Sequence, residues 1–351
     1  SGAGAADPKA IDFQWHQRNF ENALNALNCG GKATIDGNEG RRSVELICAI
    51  YESIKKNGFS NIQLLGDFSQ KIENELKDDL IHAQQLSGNI LKNSKFITDV
   101  HGLEYFQSEN LARGYSNFSW RKWRFKNKAK HWKKIELEVF KKSQHLICAG
   151  ESILEKVEKI QNATLVRNSL NLENFLSTTC KEMNVGLVGP FIPGKINYLS
   201  INIMKEIFKK LPKINFTIIG KTDKLFRETL NFKNVKFTGE TLNYLETLRS
   251  CSVLLAPYPE YAYYLGSKNK ILEAAACKIP IITSKRGAID FNNKLLLIGE
   301  SADQLIEKIL YLKNENIRKE LGNQLRCEIE QNHNAEKESK KIIKIYNEFL
   351  D

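Results

Sequence analysis

From about Met183 onward the apolar positions of the chain switch between two spacings. NVGLVGPF is a nearly unbroken apolar run ending at Gly189, the pattern of a strand covered on both faces, whereas YLSINIMKEIFKKL spaces its apolar residues three and four apart, the pattern of an amphipathic helix. INFTIIG and VKFTG read as a second and a third strand, each ending in glycine; YLETLRSC reads as a helix, SVLLAPYP as a fourth strand, KILEAAACK as a helix and PIITS as a fifth strand. Strands separated by single helices predict βαβ units and a parallel sheet. Ligands of such open sheets bind beyond the carboxyl ends of the strands. Gly189, Gly220, Gly239 and Pro257 are therefore expected on the rim of a crevice.

The stretch SKNKILEAAACKIPIITS places a lysine and a glutamate at the head of an alanine-rich helix on that rim. A helix starting near Ser267 presents unpaired amides and partial positive charge, which favour an anion, and Lys270 adds a full charge beside them. Glu273, one turn on, can accept hydrogen bonds from hydroxyls, as an acidic residue does toward a ribose in dinucleotide folds. Phosphate and ribose together mean a nucleotide. The competing reading is that both residues merely decorate a solvated helix start.

Length and composition narrow the class. A chain of 351 residues exceeds the roughly 100–200 usual for one domain. Its longest apolar runs, such as ILEAAAC and VLLAP, fall short of the ~20 residues needed to span a bilayer. No signal-peptide pattern opens it, so a cytoplasmic protein is expected. Seven scattered cysteines without a C-x-x-C pair predict reduced thiols and no structural metal. The net charge is +11, and the fifteen residues Trp120–Lys134 (WRKWRFKNKAKHWKK) contribute eight of it with no acid among them, leaving +3 for the rest.

GSKNKILEAAACKIPIITS resembles the donor-site signature of the GT-B glycosyltransferases of family 4, a G-x-x-x-K-x-x-E-A-x-A-x-G-x-P-[VI]-[VI] run that binds a nucleotide sugar. GLVGPFIPGK resembles the first strand and loop of that family's nucleotide domain, with Lys195 where its phosphate-binding lysine stands; FTIIGK, VKFTGE and LETLRSCSVLLAPY resemble the elements that follow, and NHNAEKESKKIIKIYNEFL its closing helix. The resemblance implies an α/β fold of GT-B type with two Rossmann-like domains, and donor contacts from Gly189, Lys195, Gly220, Gly239, Pro257, Gly266, Ser267, Lys270 and Glu273. The chain departs from the family at Pro190, where an arginine is common, at Leu265, where many members carry a second glutamate, and at Lys278, the usual glycine.

Upstream, DLIHAQQLSGNILKNSKFITDVHGLEYF resembles the later part of the family's acceptor domain, and His101 in its D-x-H-G turn matches a residue near the transferred sugar. A turn histidine bonding locally is the alternative. ELEVFKKSQHLICAGESILEKV with TLVRNSLNLENF resembles the strand, serine-capped helix and interdomain segment, although Arg167, Ser169 and Asn171 replace the expected proline, glycine and aspartate. Residues 11–57, by contrast, with GNEGRRSVELICAIYES, resemble the final segment of glucose-fructose oxidoreductase-like dehydrogenases, in which G-x-E-[GA]-R-x-x-x-x-L-x-x-A-I-Y-E-S forms the last helix, while the cofactor fingerprint and E-K-P motif of that family are absent. The expected organisation is a dehydrogenase-like tail over 1–57, a partial acceptor domain over 58–180, a nucleotide-sugar domain over 181–330 and a returning helix over 331–351. Residues 11–57 as two amphipathic helices of a divergent domain are the other reading.

Glycosyl transfer requires the leaving nucleoside diphosphate to be neutralised, and preorganised positive charge does this without a metal. Lys195, Lys270 and the amides near Ser267 fit that role; the expected catalytic residues are His101, Lys195 and Glu273, and no D-x-D run is placed to hold a divalent cation. The resemblance implies retention of anomeric configuration. Expected partners are a nucleotide-sugar donor and a glycan or lipid-linked acceptor, with no cofactor. A non-catalytic nucleotide-sugar-binding protein, produced by fusion or truncation, is the alternative. The basic segment Trp120–Lys134 suits either an anionic membrane surface, which would place the protein at the inner membrane face, or a solvated helix with Trp120, Trp123 and Trp132 packing inward; nucleic acid is not expected.

Overall fold

The computed structural model describes residues 80–350, apart from Asn93, Thr179, Tyr264, Leu265 and Ser267. Two parallel sheets organise them, both within one compact unit. The first has four strands side by side in chain order: β1 (Ile81–Gln84), β2 (Phe96–Val100), β3 (His145–Cys148) and β4 (Ala163–Leu165). Between β2 and β3 run α1 (Glu104–Arg113) and α2 (Trp120–Lys142); α3 (Glu151–Val157) joins β3 to β4. The expectation for residues 11–57 lies outside the described residues.

Helix α1 begins at Leu103, which has no capping side chain. Its first amides are met instead from α2, where Glu136 accepts from the Glu104 N–H at 2.7 Å and the Tyr105 N–H at 3.0 Å. A helix start is electropositive and favours a carboxylate, but Glu136 is fully buried, and burial pushes its carboxyl up to about 7. Ala129, Val139 and Phe140 bury the same side of α2.

The second sheet is β5 (Asn184–Val188), β6 (Asn215–Ile219), β7 (Val235–Gly239), β8 (Val253–Ala256), β9 (Ile281–Thr283) and β10 (Leu297–Ile298), in the spatial order β10-β9-β8-β5-β6-β7. The last strand adds one to the five that the apolar runs indicate. Its helices are α4 (Ile201–Lys210), α5 (Lys224–Thr229), α6 (Tyr244–Arg249), α7 (Asn269–Ala276), α8 (Ala302–Tyr311) and α9 (Glu315–Asn332). One face of the sheet is covered by Met204, Ile207 and Phe208 of α4, packed with Phe216 and Ile218. On the other, Ile271, Leu272 and the fully buried Ala274, Ala275 and Ala276 bring α7 close to the strands. The chain leaves β5 toward β6 and β7, then returns on the opposite side as β8. The reversal of strand order therefore lies between β5 and β8, where doubly wound sheets open a binding crevice at the carboxyl ends.

The final helix, α10 (Ala335–Leu350), packs on the first sheet, with Ile345 beside Ile97, Ile147 and Val166. No helix among the described residues is long and apolar enough to cross a membrane.

Candidate active site

The rim of the second sheet is built by glycines at strand ends. Gly189 donates its N–H to Ile219 O at 2.8 Å, and a Cβ there would lie 3.0 Å from Phe191 N. Gly220 and Gly239 have φ of +100° and +71° and are joined by the Gly220 N–H to Gly239 O at 3.0 Å. Both conformations are ones that residues with a Cβ rarely adopt. Pro257, at the end of β8, is buried, and its carbonyl accepts from Ser200 Oγ at 3.1 Å, tying the β8 exit to the head of α4.

Helix α7 begins at Asn269 rather than at Ser267, which lies outside the described residues; Lys268 is its N-cap and gives no side-chain cap, so its first amides stay unoccupied by one. Lys270, half-buried, reaches across the order reversal to donate its ammonium to Val188 O at 2.5 Å, with the nitrogen 5.8 Å from the ring centre of Phe191 and 6.0 Å from that of Tyr258. Lys268 donates to Gly266 O at 2.8 Å and lies 5.8 Å from the Tyr258 ring centre. Desolvation pushes both ammonium groups down to about 8. The two cations stand beside the same Tyr258 ring, and the carboxylates that act on them are Asp290 for Lys268 and Glu273 for Lys270. Lys268 escaped the sequence reading because only burial distinguishes it from an ordinary surface lysine.

Glu273 is not free in the way a solvated helix-start acid would be. Its Oε2 accepts from Tyr244 Oη of α6 at 2.5 Å, while its Oε1 has no partner among the described residues. Burial raises its carboxyl above the usual range and carries the Tyr244 phenol well above its own. Lys195 stands exposed at the head of the turn Ile196–Ser200 in the loop after β5, and its ammonium has no partner among the described residues.

The first sheet contributes His101, just past the carboxyl end of β2. Its Nε2 lies 3.1 Å from Asp99 Oδ2, and that hydrogen bond raises its pKa. The sequence placed His101 and Gly266 in separate motifs; the fold presses them together. Gly266 has φ of +72°, and a Cβ on it would lie 2.0 Å from the His101 carbonyl oxygen, so only glycine fits. Asn168, between the sheets, donates to Asn269 Oδ1 at 3.0 Å.

One expectation needs correction. Helix α3 is not capped by its own serine: Gly150 is the N-cap, and Asp290, from the second sheet's side, accepts from both the Ser152 N–H and Ser152 Oγ at 2.8 Å each. A Cβ at Gly150 would fall 2.4 Å from Asp290 Oδ2. The contact spans 138 residues of sequence, and no local pattern announces it. A second correction concerns α2. Trp120 and Trp123 are 63% and 69% exposed, so these two tryptophans do not pack inward.

Residues 182–315 match the family model described as glycosyl transferases group 1. No curated protein sequence matches significantly. Among solved structures, the sucrose-phosphate synthase of Thermosynechococcus elongatus superposes with a TM-score of 0.66 at 18% identity, covering 84% of this chain and 80% of that one. TarM gives 0.61 at 19% identity over 81% of this chain and 58% of its own. Anabaena HepE, solved with UDP-glucose, gives 0.61 at 12% identity over 81% and 82%. The fold is thus the α/β GT-B architecture, with two parallel sheets.

Proposed function

We propose that this chain is a glycosyltransferase that moves a sugar from a nucleoside-diphosphate donor to a glycan or lipid-linked acceptor. The observation that carries the reading is the crevice at the β5/β8 order reversal, where Lys268 and Lys270 are held with depressed pKa beside the half-free carboxylate of Glu273. The match of residues 182–315 to a glycosyltransferase family supports it, as does a fold shared with proteins solved with UDP or UDP-glucose.

In this reading the donor diphosphate lies against Lys268, Lys270 and the N-terminus of α7, with Lys195 closing from the β5 loop. As the glycosidic bond lengthens, negative charge grows on the leaving phosphate, and cations already fixed in a poorly solvated crevice stabilise it without reorganising. Glu273 Oε1 accepts from a ribose hydroxyl while Tyr244 fixes the other oxygen. His101, half-exposed and oriented by Asp99, meets the transferred sugar from the other side of the cleft. Side chains at the site supply the charge themselves, so we assign a metal-independent transfer; retention of configuration is carried only by the resemblance to family 4.

Calorimetry with UDP-, GDP- and ADP-sugars tests the site. Lys270→Met and Glu273→Gln each remove a charge-assisted contact worth roughly 1.5–3 kcal/mol, so each should weaken the binding donor by about tenfold or more. Acceptor-dependent release of nucleoside diphosphate then tests transfer itself. Absence of any donor binding overturns the reading. Donor binding without release for any glycan or lipid acceptor leaves a nucleotide-sugar-binding protein in its place.

A further inference from the structure

The outer side of α2 is a surface with no function in the cleft. From Asn110 to Ile135 the chain carries no Asp or Glu. On a helix of 3.6 residues per turn, Ala129, Glu136, Val139 and Phe140 line the buried side, and Trp120, Trp123, Arg124, Lys130 and Lys134 project from the opposite, solvated side. Phe118, in the turn that leads into α2, is fully exposed. The guanidinium groups of Arg121 and Arg124 each lie 5.9 Å from the Trp120 ring centre. Three large aromatic side chains in water at one end of a basic helix are costly to keep exposed in a monomer that has no use for them.

The same end of α2 borders the cleft. A Cβ on Gly114, in the α1–α2 turn, would lie 2.5 Å from Leu199 Cδ1 and 2.8 Å from Tyr261 Oη, which belong to the segments following β5 and β8. Phe118 is four residues farther on, no more than about 14 Å of extended backbone away.

We infer that the Phe118–Trp120–Trp123 tip and the basic outer side of α2 form a docking surface for an anionic lipid bilayer. The charge is complementary to anionic headgroups, and tryptophan beside lysine and arginine is the composition that settles at the boundary between headgroups and acyl chains. Docked there, the mouth of the cleft stands at the membrane surface, which selects a lipid-linked acceptor over a free glycan. That selection rests on the transferase reading; the docking surface does not.

The test uses the full chain and vesicles of phosphatidylcholine, with or without one-third phosphatidylserine. The protein is expected to co-sediment with the anionic vesicles only, with a blue shift of tryptophan fluorescence and with release by salt. Each basic residue near such a surface strengthens binding about fivefold, so replacing Arg124, Lys126, Lys130 and Lys134 by glutamine should weaken it by several hundred-fold, roughly. Serine at Phe118, Trp120 and Trp123 should remove the blue shift while donor binding, measured on the same samples, stays unchanged. No binding of the folded wild-type protein to anionic vesicles overturns the inference. So does binding that survives both sets of substitutions, or salt-sensitive binding to single-stranded RNA in place of vesicles. Loss of donor binding by every sample, with vesicle binding intact, overturns the transferase reading instead.

Discussion

Binding of a nucleoside diphosphate should take up protons, in an amount set by Lys268 and Lys270. Burial brings both ammonium groups from the usual 10.5 down to about 8 in the free protein. At pH 8 each is then about half protonated. A diphosphate laid against them supplies the missing counter-charge and drives both back to the charged form. The lysines take up about half a proton each at pH 8, about one in all, and close to none at pH 6.5, where both already carry theirs and the terminal phosphate of UDP instead gives a proton up. Because binding raises these pKa values, affinity is greatest below 8 and falls as pH rises through it. At pH 9 each free lysine is about one-tenth protonated, so affinity should drop about tenfold for each, about a hundredfold for the pair relative to pH 7. Calorimetric titration with UDP in buffers of different ionisation enthalpy reads the proton count directly as the slope of apparent enthalpy against buffer enthalpy. Lys270→Met should halve it. Tight binding at pH 8 with no proton uptake would refute the placement of the diphosphate, and uptake unaltered by both Lys268→Met and Lys270→Met would assign the protons to other groups.

Two further outcomes concern the scaffold. Glu136 is an acid whose pKa folding raises to about 7, so its contribution to stability is complete below about 4.5 and is lost as pH rises through 7. Glu136→Gln cannot ionise yet keeps an acceptor for the head of α1, so urea unfolding should show the mutant gaining about 3 kcal/mol relative to wild type between pH 4.5 and 8; parallel pH profiles would rule out the buried carboxyl. Gly266→Ala sets a Cβ against the His101 carbonyl oxygen, a main-chain atom that no rotamer change can move aside, at a positive φ. The strained backbone and the overpacking together should cost about 2–5 kcal/mol, and a wild-type unfolding curve would mean that the close approach does not exist in solution.

The alternation of apolar runs was enough to read five parallel strands of the second sheet, their order in the chain and the glycines at their ends, because strand and helix periodicity are properties of neighbouring residues. That a helix carrying Lys270 and Glu273 one turn apart stands on the rim was legible for the same reason, but its start at Asn269, and the turning of Lys270 to Val188 O rather than to Glu273, were not. What the sequence could not contain was which distant atoms would meet. Tyr244 takes one oxygen of Glu273 from 29 residues away, Asp290 caps α3 across 138, and the carbonyl of His101 lies where a Cβ of Gly266 would stand. The first depends on how two helices of the second sheet pack, the other two on how the strand ends of the two sheets meet, relations carried by packing and by no local pattern. The tryptophans of α2 make the same point in reverse. Trp120, Trp123 and Trp132 are one residue type in one helix, but the direction of the buried stripe, set by Ala129, Val139 and Phe140 against the first sheet's side, turns Trp120 and Trp123 into water. Burial likewise makes Lys268 and Lys270 unlike the other lysines of this basic chain, because the cost of desolvating a charge depends on what surrounds it and not on what precedes or follows it.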